Sequence, residues 1–173
     1  TWDWNRYPGA SGDMEAYVYL PLLEETGFVP RQKYTNAEET LEYCEVLAQR
    51  YRLHEHALLQ TQVRQVVWQE SSRRWQVVTD RGDQLQARFV IHSNGPLNRP
   101  KLPAIKGIDQ FKGHTFPTSR WDYAYTGGGP EGGLDKLSDK RVGVIGTGAT
   151  AVQCVPHLML HCKTASTEAH HLY

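Results

Sequence analysis

Lys140-Arg141-Val142-Gly143-Val144-Ile145-Gly146-Thr147-Gly148-Ala149-Thr150-Ala151-Val152 reads as an apolar strand, a glycine turn and the opening of a helix. Gly146 permits the tight turn, Gly148 lets backbone approach a pyrophosphate with no Cβ in the way, and Ala151 lets the helix pack closely on the strand. The helix N-terminus then offers free N–H groups and a partial positive charge to phosphate. Val152, Val155 and Leu158 make the helix amphipathic. In that strand–turn–helix setting the G-x-G-x-x-A spacing predicts a dinucleotide site built from Gly146, Thr147, Gly148, Ala149, Thr150, Ala151 and Val152, a chance glycine turn being the alternative. The residue that selects NADH or NADPH belongs at the end of the next strand. The chain is expected to stop at Tyr173 before reaching it.

Upstream, Asn36 followed three residues later by Glu39 has the form of a capping box, and Leu41, Cys44, Leu47, Ala48 and Tyr51 fall on one helical face, so a helix is predicted over about 37–52. The period then changes. Val63, Val66, Val67 and Trp68, then Trp75, Val77 and Val78, then Leu85, Ala87, Phe89 and Ile91 read as three antiparallel strands. Ser71-Ser72-Arg73 and Asp80-Arg81-Gly82-Asp83 supply the turns, and Trp68 should cover Trp75 across the first hairpin. From Pro96 to the glycine run Gly127–Gly133 little regular structure is expected.

The 173 residues carry 19 Lys+Arg against 19 Asp+Glu, so no long-range field recruits a nucleic-acid backbone or an anionic lipid surface. No stretch approaches the ~20 apolar residues of a membrane helix. Cys44, Cys154 and Cys162 form no C-x-x-C pair and read as reduced thiols in an intracellular, cytoplasmic setting. The opening Thr1-Trp2-Asp3-Trp4-Asn5-Arg6 has neither an initiator Met nor the pattern of a signal peptide, and reads as a cut edge.

Several motifs in order resemble the class B flavoprotein monooxygenases. Thr1 to Ala10, then Asp13, Glu15 and Tyr19-Leu20-Pro21, look like the segment that follows that family's FAD-binding glycine motif. Phe111-Lys112-Gly113-His114-Thr115-Phe116-Pro117-Thr118-Ser119-Arg120-Trp121-Asp122 resembles the Baeyer-Villiger fingerprint F-x-G-x-x-x-H-x-x-x-W-[P/D]. Asn94 to Pro100 and the Gly146–Val152 turn also follow the family's order.

The resemblance implies an α/β, Rossmann-like flavoprotein with two dinucleotide domains, truncated at both ends and carrying an antiparallel three-stranded meander. Residues 1–99 would be the C-terminal portion of the FAD domain, 100–140 a linker with the altered fingerprint, and 141–173 the start of the NADPH domain. It implies FAD and NADPH as cofactors and O2 plus a small ketone, amine or sulfide as substrates. One oxygen atom would be inserted beside a ketone, or a heteroatom oxidised, through a C4a-peroxyflavin. By the same resemblance Thr1, Trp2, Asp3, Trp4, Asp13, Tyr19 and Val63 line FAD, Val63 by its backbone beside the adenine. Ser11, Gly12 and Asp13 form the loop shared with the nicotinamide. Asp13 is the expected catalytic carboxylate, a buried anion set beside a cation, and its plainer reading is a cap for the turn before Met14-Glu15.

The chain departs from the family's pattern at Pro117, where the fingerprint carries histidine, and at Gly12, where the family usually carries cysteine. The glycine motif for the FAD pyrophosphate is expected outside these residues. After Leu158 the family enters its next strand at once, whereas here Met159 to His171 intervene before Leu172-Tyr173. A non-catalytic, truncated family member is therefore the alternative to an enzyme. A flavin disulfide reductase is a third reading, against which the missing C-x-x-C pair argues. His157 and His161 lack the glutamate and third ligand of a zinc site and read as solvated, Cys154 reads as a small core residue, and Ser119 has no hydrolase context.

Overall fold

The computed structural model describes residues 1–95, 97 and 99–168, Glu168 by its backbone alone. The described residues fall into two compact units, Leu47–Pro96 on one hand and Thr1–Val46 with Leu97–Tyr173 on the other.

The first of these holds an antiparallel meander of β1 (Val63–Gln69), β2 (Arg74–Thr79) and β3 (Gln84–Ala87), in that order. Trp68 stands opposite Trp75, with ring centroids 5.4 Å apart in an edge-to-face pose, as expected for a covered hairpin. The second turn is closed by Thr79, whose hydroxyl donates to the Asp83 carboxylate at 2.7 Å and accepts from its N–H. β3 is shorter than its alternation suggests. Ala87 pairs with Trp75, one residue from the start of β2, so Phe89 and Ile91 run past the end of that strand and are exposed.

The second unit contains α1 (Ala16–Tyr19), α2 (Leu23–Thr26) and the start of α3 (Ala37–Arg50). It also holds α4 (Tyr123–Thr126), β4 (Arg141–Ile145), α5 (Ala149–His161) and β5 (Thr164–Glu168). The cap of α3 is one-sided. Asn36 Oδ1 accepts the Glu39 N–H at 2.8 Å, but the Glu39 carboxylate accepts from the Arg31 N–H and does not return to Asn36. The buried residues of α3 are Ala37, Glu39, Thr40 and Tyr43, while Cys44, and Tyr51 just past its end, are exposed. Tyr43 wins the interior because Phe28 lies 4.5 Å from its ring and its hydroxyl donates to the Pro21 carbonyl, which leaves no unsatisfied polar atom.

β4 and β5 pair in parallel, from Arg141 opposite Thr164 to Ile145 opposite Glu168, with α5 between them in sequence. This corrects the expected stretch of intervening chain: the strand after the glycine-turn helix begins at Thr164, inside the described residues, and the expected Leu172-Tyr173 strand lies outside them. Thr164-Ala165-Ser166-Thr167 has no apolar run, so only the partner strand makes it extended. α5 buries Ala151, Cys154 and Leu158, whereas Val152 is 70% exposed, which rotates the apolar face away from the predicted one. Cys154 is a core residue, and burial pushes its thiol pKa up.

Two clusters form the core of this unit. Tyr7, Ala10, Ala37 and Cys154 pack with Trp2, Trp121 and Val155. Leu134, Leu137 and Leu158 pack with Trp121, Tyr123, Val142 and Val144. Trp121 thus touches both clusters. Among the described residues no helix is long and apolar enough to cross a membrane.

Candidate functional site

The glycine turn is built as its spacing predicts. Gly146 has φ +120°, a conformation that favours glycine, and Gly148 is the extended residue that precedes the first turn of α5. A Cβ at either glycine would meet nothing within 4 Å, so the space in front of the helix N-terminus is open. Beside it lies a cleft of about 280 Å³ lined by Gly146, Thr147, Ala151, Val152, Val155, Pro156 and Thr167. Four of the residues expected to hold a dinucleotide therefore line one open cleft, to which β5 contributes Thr167.

The amino-terminal loop is docked on the same helix. The Tyr7 hydroxyl donates to Gln153 Oε1 at 2.7 Å. Gln153 Nε2 donates to the Ser11 carbonyl at 2.9 Å. Burial raises the Tyr7 pKa. The Gly12 N–H donates to the Thr35 carbonyl at 2.8 Å, and the nearest atom to a Gly12 Cβ would be at 3.5 Å, so a larger residue fits there. Ser11 is thereby tied to α5 at Gln153, and Gly12 to Thr35.

The aromatic end of the loop is partly assembled. Trp2 Nε1 donates to the Tyr19 hydroxyl at 3.2 Å, and the two rings meet edge to face at 6.1 Å. Trp4 is exposed, with the Arg120 guanidinium 4.5 Å above its ring. Asp3 pairs with Arg6, and the Thr1 carbonyl accepts the N–H groups of Trp4 and Asn5. Asp13 departs from expectation: its side chain is exposed, and among the described residues it makes neither an ion pair nor a cap. Val63 opens β1 in the other unit, opposite Thr79.

In the fingerprint segment Pro117 precedes a short 3₁₀ turn, Thr118–Arg120, and its carbonyl accepts the Arg120 N–H at 2.9 Å. The segment's imidazole is three residues earlier. His114 Nε2 lies 2.8 Å from Asp122 Oδ2, with its ring stacked 4.0 Å from Tyr125. The Tyr125 N–H and then His114 hold the Asp122 carboxyl below its ordinary value. Tyr123, whose hydroxyl donates to the Arg6 carbonyl, is pushed up to about 12 by burial and then by the charge of Glu131. Its neutral form stabilises the fold below the ordinary tyrosine pKa, and that contribution disappears as pH rises through about 12. An alkaline titration followed by phenolate absorbance should show one tyrosine ionising only near pH 12, and Tyr123→Phe should remove that step.

His157 and His161 are half-buried and engaged, in contrast to the solvated pair expected. His161 Nε2 accepts the Gly133 N–H at 3.2 Å, and the His157 ring lies where a Cβ of Gly9 or Gly132 would fall. Among the described residues no cluster of three or more His, Cys, Asp and Glu could hold a metal. Sequence reasoning missed Tyr7 and Gln153. Their only local signal is a polar residue next to the apolar face of α5.

Comparison with known proteins accords with this geometry. A profile of the family described as pyridine nucleotide-disulphide oxidoreductase matches residues 20–165. Neopentalenolactone D synthase of Streptomyces avermitilis is 56% identical over all 173 residues, which span 28% of that protein. A Baeyer-Villiger monooxygenase of Streptomyces coelicolor is 54% identical over 158 residues, 91% of this chain and 26% of the relative. The polycyclic ketone monooxygenase of the fungus Thermothelomyces thermophila superposes with a TM-score of 0.83 at 43% identity, over 96% of this chain and 28% of that one. A crystal structure of OTEMO with FAD and NADP superposes with a TM-score of 0.78 at 35% identity, over 97% of this chain and 31% of that one. The chain thus spans less than a third of each of these proteins. With its glycine turn, docked amino-terminal loop and these relatives, the chain belongs to the pyridine nucleotide-disulphide oxidoreductase family and, within it, to the class B flavoprotein monooxygenases of Baeyer-Villiger type.

Proposed function

We propose that these residues belong to an FAD- and NADPH-dependent monooxygenase of the EC 1.14.13 type, which inserts one atom of O2 beside a ketone or oxidises an amine or sulfide. The observation that carries this reading is the open glycine turn at Gly146–Gly148, set against a loop whose Ser11 is bonded to the same helix. NADPH is assigned to Gly146, Thr147, Gly148, Ala149, Thr150, Ala151 and Val152, with Ser11, Gly12 and Asp13 at its nicotinamide end. FAD is assigned to Thr1, Trp2, Asp3, Trp4, Asp13, Tyr19 and Val63. When bound, the two cofactors supply reducing equivalents and activate O2. The first turn of α5 gives N–H groups and positive charge to a pyrophosphate, while Trp2 and Tyr19 offer an aromatic wall. Asp13, exposed on the loop, is available to orient a cation brought against it. The division into 1–99, 100–140 and 141–173 belongs to the same proposal, as does a cytoplasmic location consistent with three free thiols.

Gly148→Asp tests the assignment of the turn. A Cβ there meets nothing within 4 Å, so the fold should tolerate the change, while the added carboxylate repels a pyrophosphate. NADPH affinity, read by fluorescence titration, should fall about tenfold or more, equivalent to about 1.4 kcal/mol, at an unchanged urea midpoint. Equal affinity in the two proteins would defeat the assignment.

The second reading, a non-catalytic family member, is favoured by Pro117, which replaces the fingerprint imidazole with a ring that cannot donate a hydrogen bond. The isolated 173 residues should neither oxidise NADPH nor retain stoichiometric FAD, since the other G-x-G-x-x-G spacing, Gly127–Gly132, follows the short α4 and folds back on itself through Gly129 and Gly132 instead of joining a strand to a helix. A purified preparation that stays yellow would contradict this.

A further inference from the structure

Three polar side chains on α5, Gln153, His157 and His161, follow one another at i, i+4 and i+8, a single stripe of the helix. Each meets a loop. The Gln153 amide accepts from the Tyr7 hydroxyl at 2.7 Å and from the Ser11 N–H at 3.4 Å, and it donates to the Ser11 carbonyl at 2.9 Å. His161 accepts the Gly133 N–H at 3.2 Å, and His157 lies between Gly9 and Gly132. The two loops also bond one another, from the Gly9 N–H to the Pro130 carbonyl at 3.0 Å.

Gln153 treats Ser11 as a neighbouring strand would, by satisfying both its donor and its acceptor. A leucine can satisfy neither, and a glutamate would set an oxygen against the Ser11 carbonyl. The Tyr7 hydroxyl adds a second tie, because it donates to the same Gln153 amide oxygen. A shift of the helix that begins at the glycine turn would therefore break these bonds or carry Ser11 along.

We propose that Gln153 is a positioning residue that couples the Gly146–Val152 turn to the Tyr7–Asp13 loop, so that occupancy of the turn is transmitted to Ser11, Gly12 and Asp13. The ligand arm of this proposal rests on the dinucleotide reading given above. The coupling is a free energy shared between two sites through packed, hydrogen-bonded contacts.

Amide hydrogen exchange on the 173-residue chain, wild type against Gln153→Leu, decides it. Without ligand, Ser11 should exchange about fivefold faster in the variant, the effect of one lost hydrogen bond of about 1 kcal/mol, while Cys154–Leu158 amides stay unchanged. With NADPH, wild type should slow exchange at both the turn and Ser11–Asp13, and the variant at the turn alone. Exchange that quickens uniformly along the variant, with NADPH protection of the loop retained, would mean a merely structural role and overturn the proposal. Protection of the wild-type turn without the loop overturns the coupling alone. No protection of the wild-type turn overturns the dinucleotide reading and the ligand-dependent coupling with it. Gln153→Glu, which keeps the length and the Tyr7 acceptor, supplies the same comparison if the leucine variant does not fold.

Discussion

Tyr43→Ala is expected to lower the unfolding free energy by about 3–5 kcal/mol, the cost of removing a fully buried aromatic side chain. Tyr43 is 0% exposed, and its ring is packed against Phe28. Its hydroxyl donates to the Pro21 carbonyl and lies 3.2 Å from the Thr26 hydroxyl. Truncation therefore opens a cavity beneath α3 and leaves the Pro21 carbonyl without its donor. Tyr43→Phe separates the two contributions, because it keeps the packing and should cost only about 1 kcal/mol. Urea unfolding of the three proteins measures both differences. An alanine variant within about 1 kcal/mol of wild type would show that α3 is not held through this residue.

Gly9→Ala is the second large effect, and two independent penalties act on it. Gly9 has φ +75°, where an L-residue loses about 1–2 kcal/mol. The new Cβ would also stand 2.6 Å from His157 Nε2 and 2.7 Å from the Gln153 carbonyl oxygen, an overpacking worth about 1–3 kcal/mol. The expected loss is about 2–5 kcal/mol in all. Gly82→Ala is the matched control: its φ is +85°, but its Cβ would meet nothing within 4 Å, so only the backbone penalty of about 1–2 kcal/mol applies. Equal losses at the two positions, read by urea unfolding, would mean that the loop does not rest on α5.

What could be read without coordinates was local. Glycines at 146 and 148 after an apolar run state their own geometry, and Trp68 and Trp75 face one another because seven residues and a turn set their register. The buried face of α3 escaped by one position. Tyr43 and Cys44 are equally plausible on a helical wheel, and Phe28 and Pro21, both outside the helix, decide between them. β5 escaped because Thr164–Thr167 carries no strand pattern of its own and takes its conformation from β4. At the candidate site the turn was legible, but its tie to Ser11 joins residues 142 apart, and no period or spacing within a window can express that. The exposed Asp13 shows the same boundary: a motif named the residue, while its surroundings depend on whatever packs against the loop.

That separation of 142 residues also has a meaning in time. At a synthesis rate of about 5–20 residues per second, the Tyr7–Ser11 loop waits on the order of ten seconds before Gln153 exists to hold it. The Leu47–Pro96 hairpins, whose strands lie close in sequence, can close long before that. During the wait Trp2, Tyr7 and Ala10 have no Cys154 or Val155 to cover them. Of this cluster's contacts, those with Ala37 can therefore form early and those with Cys154 and Val155 only after that interval.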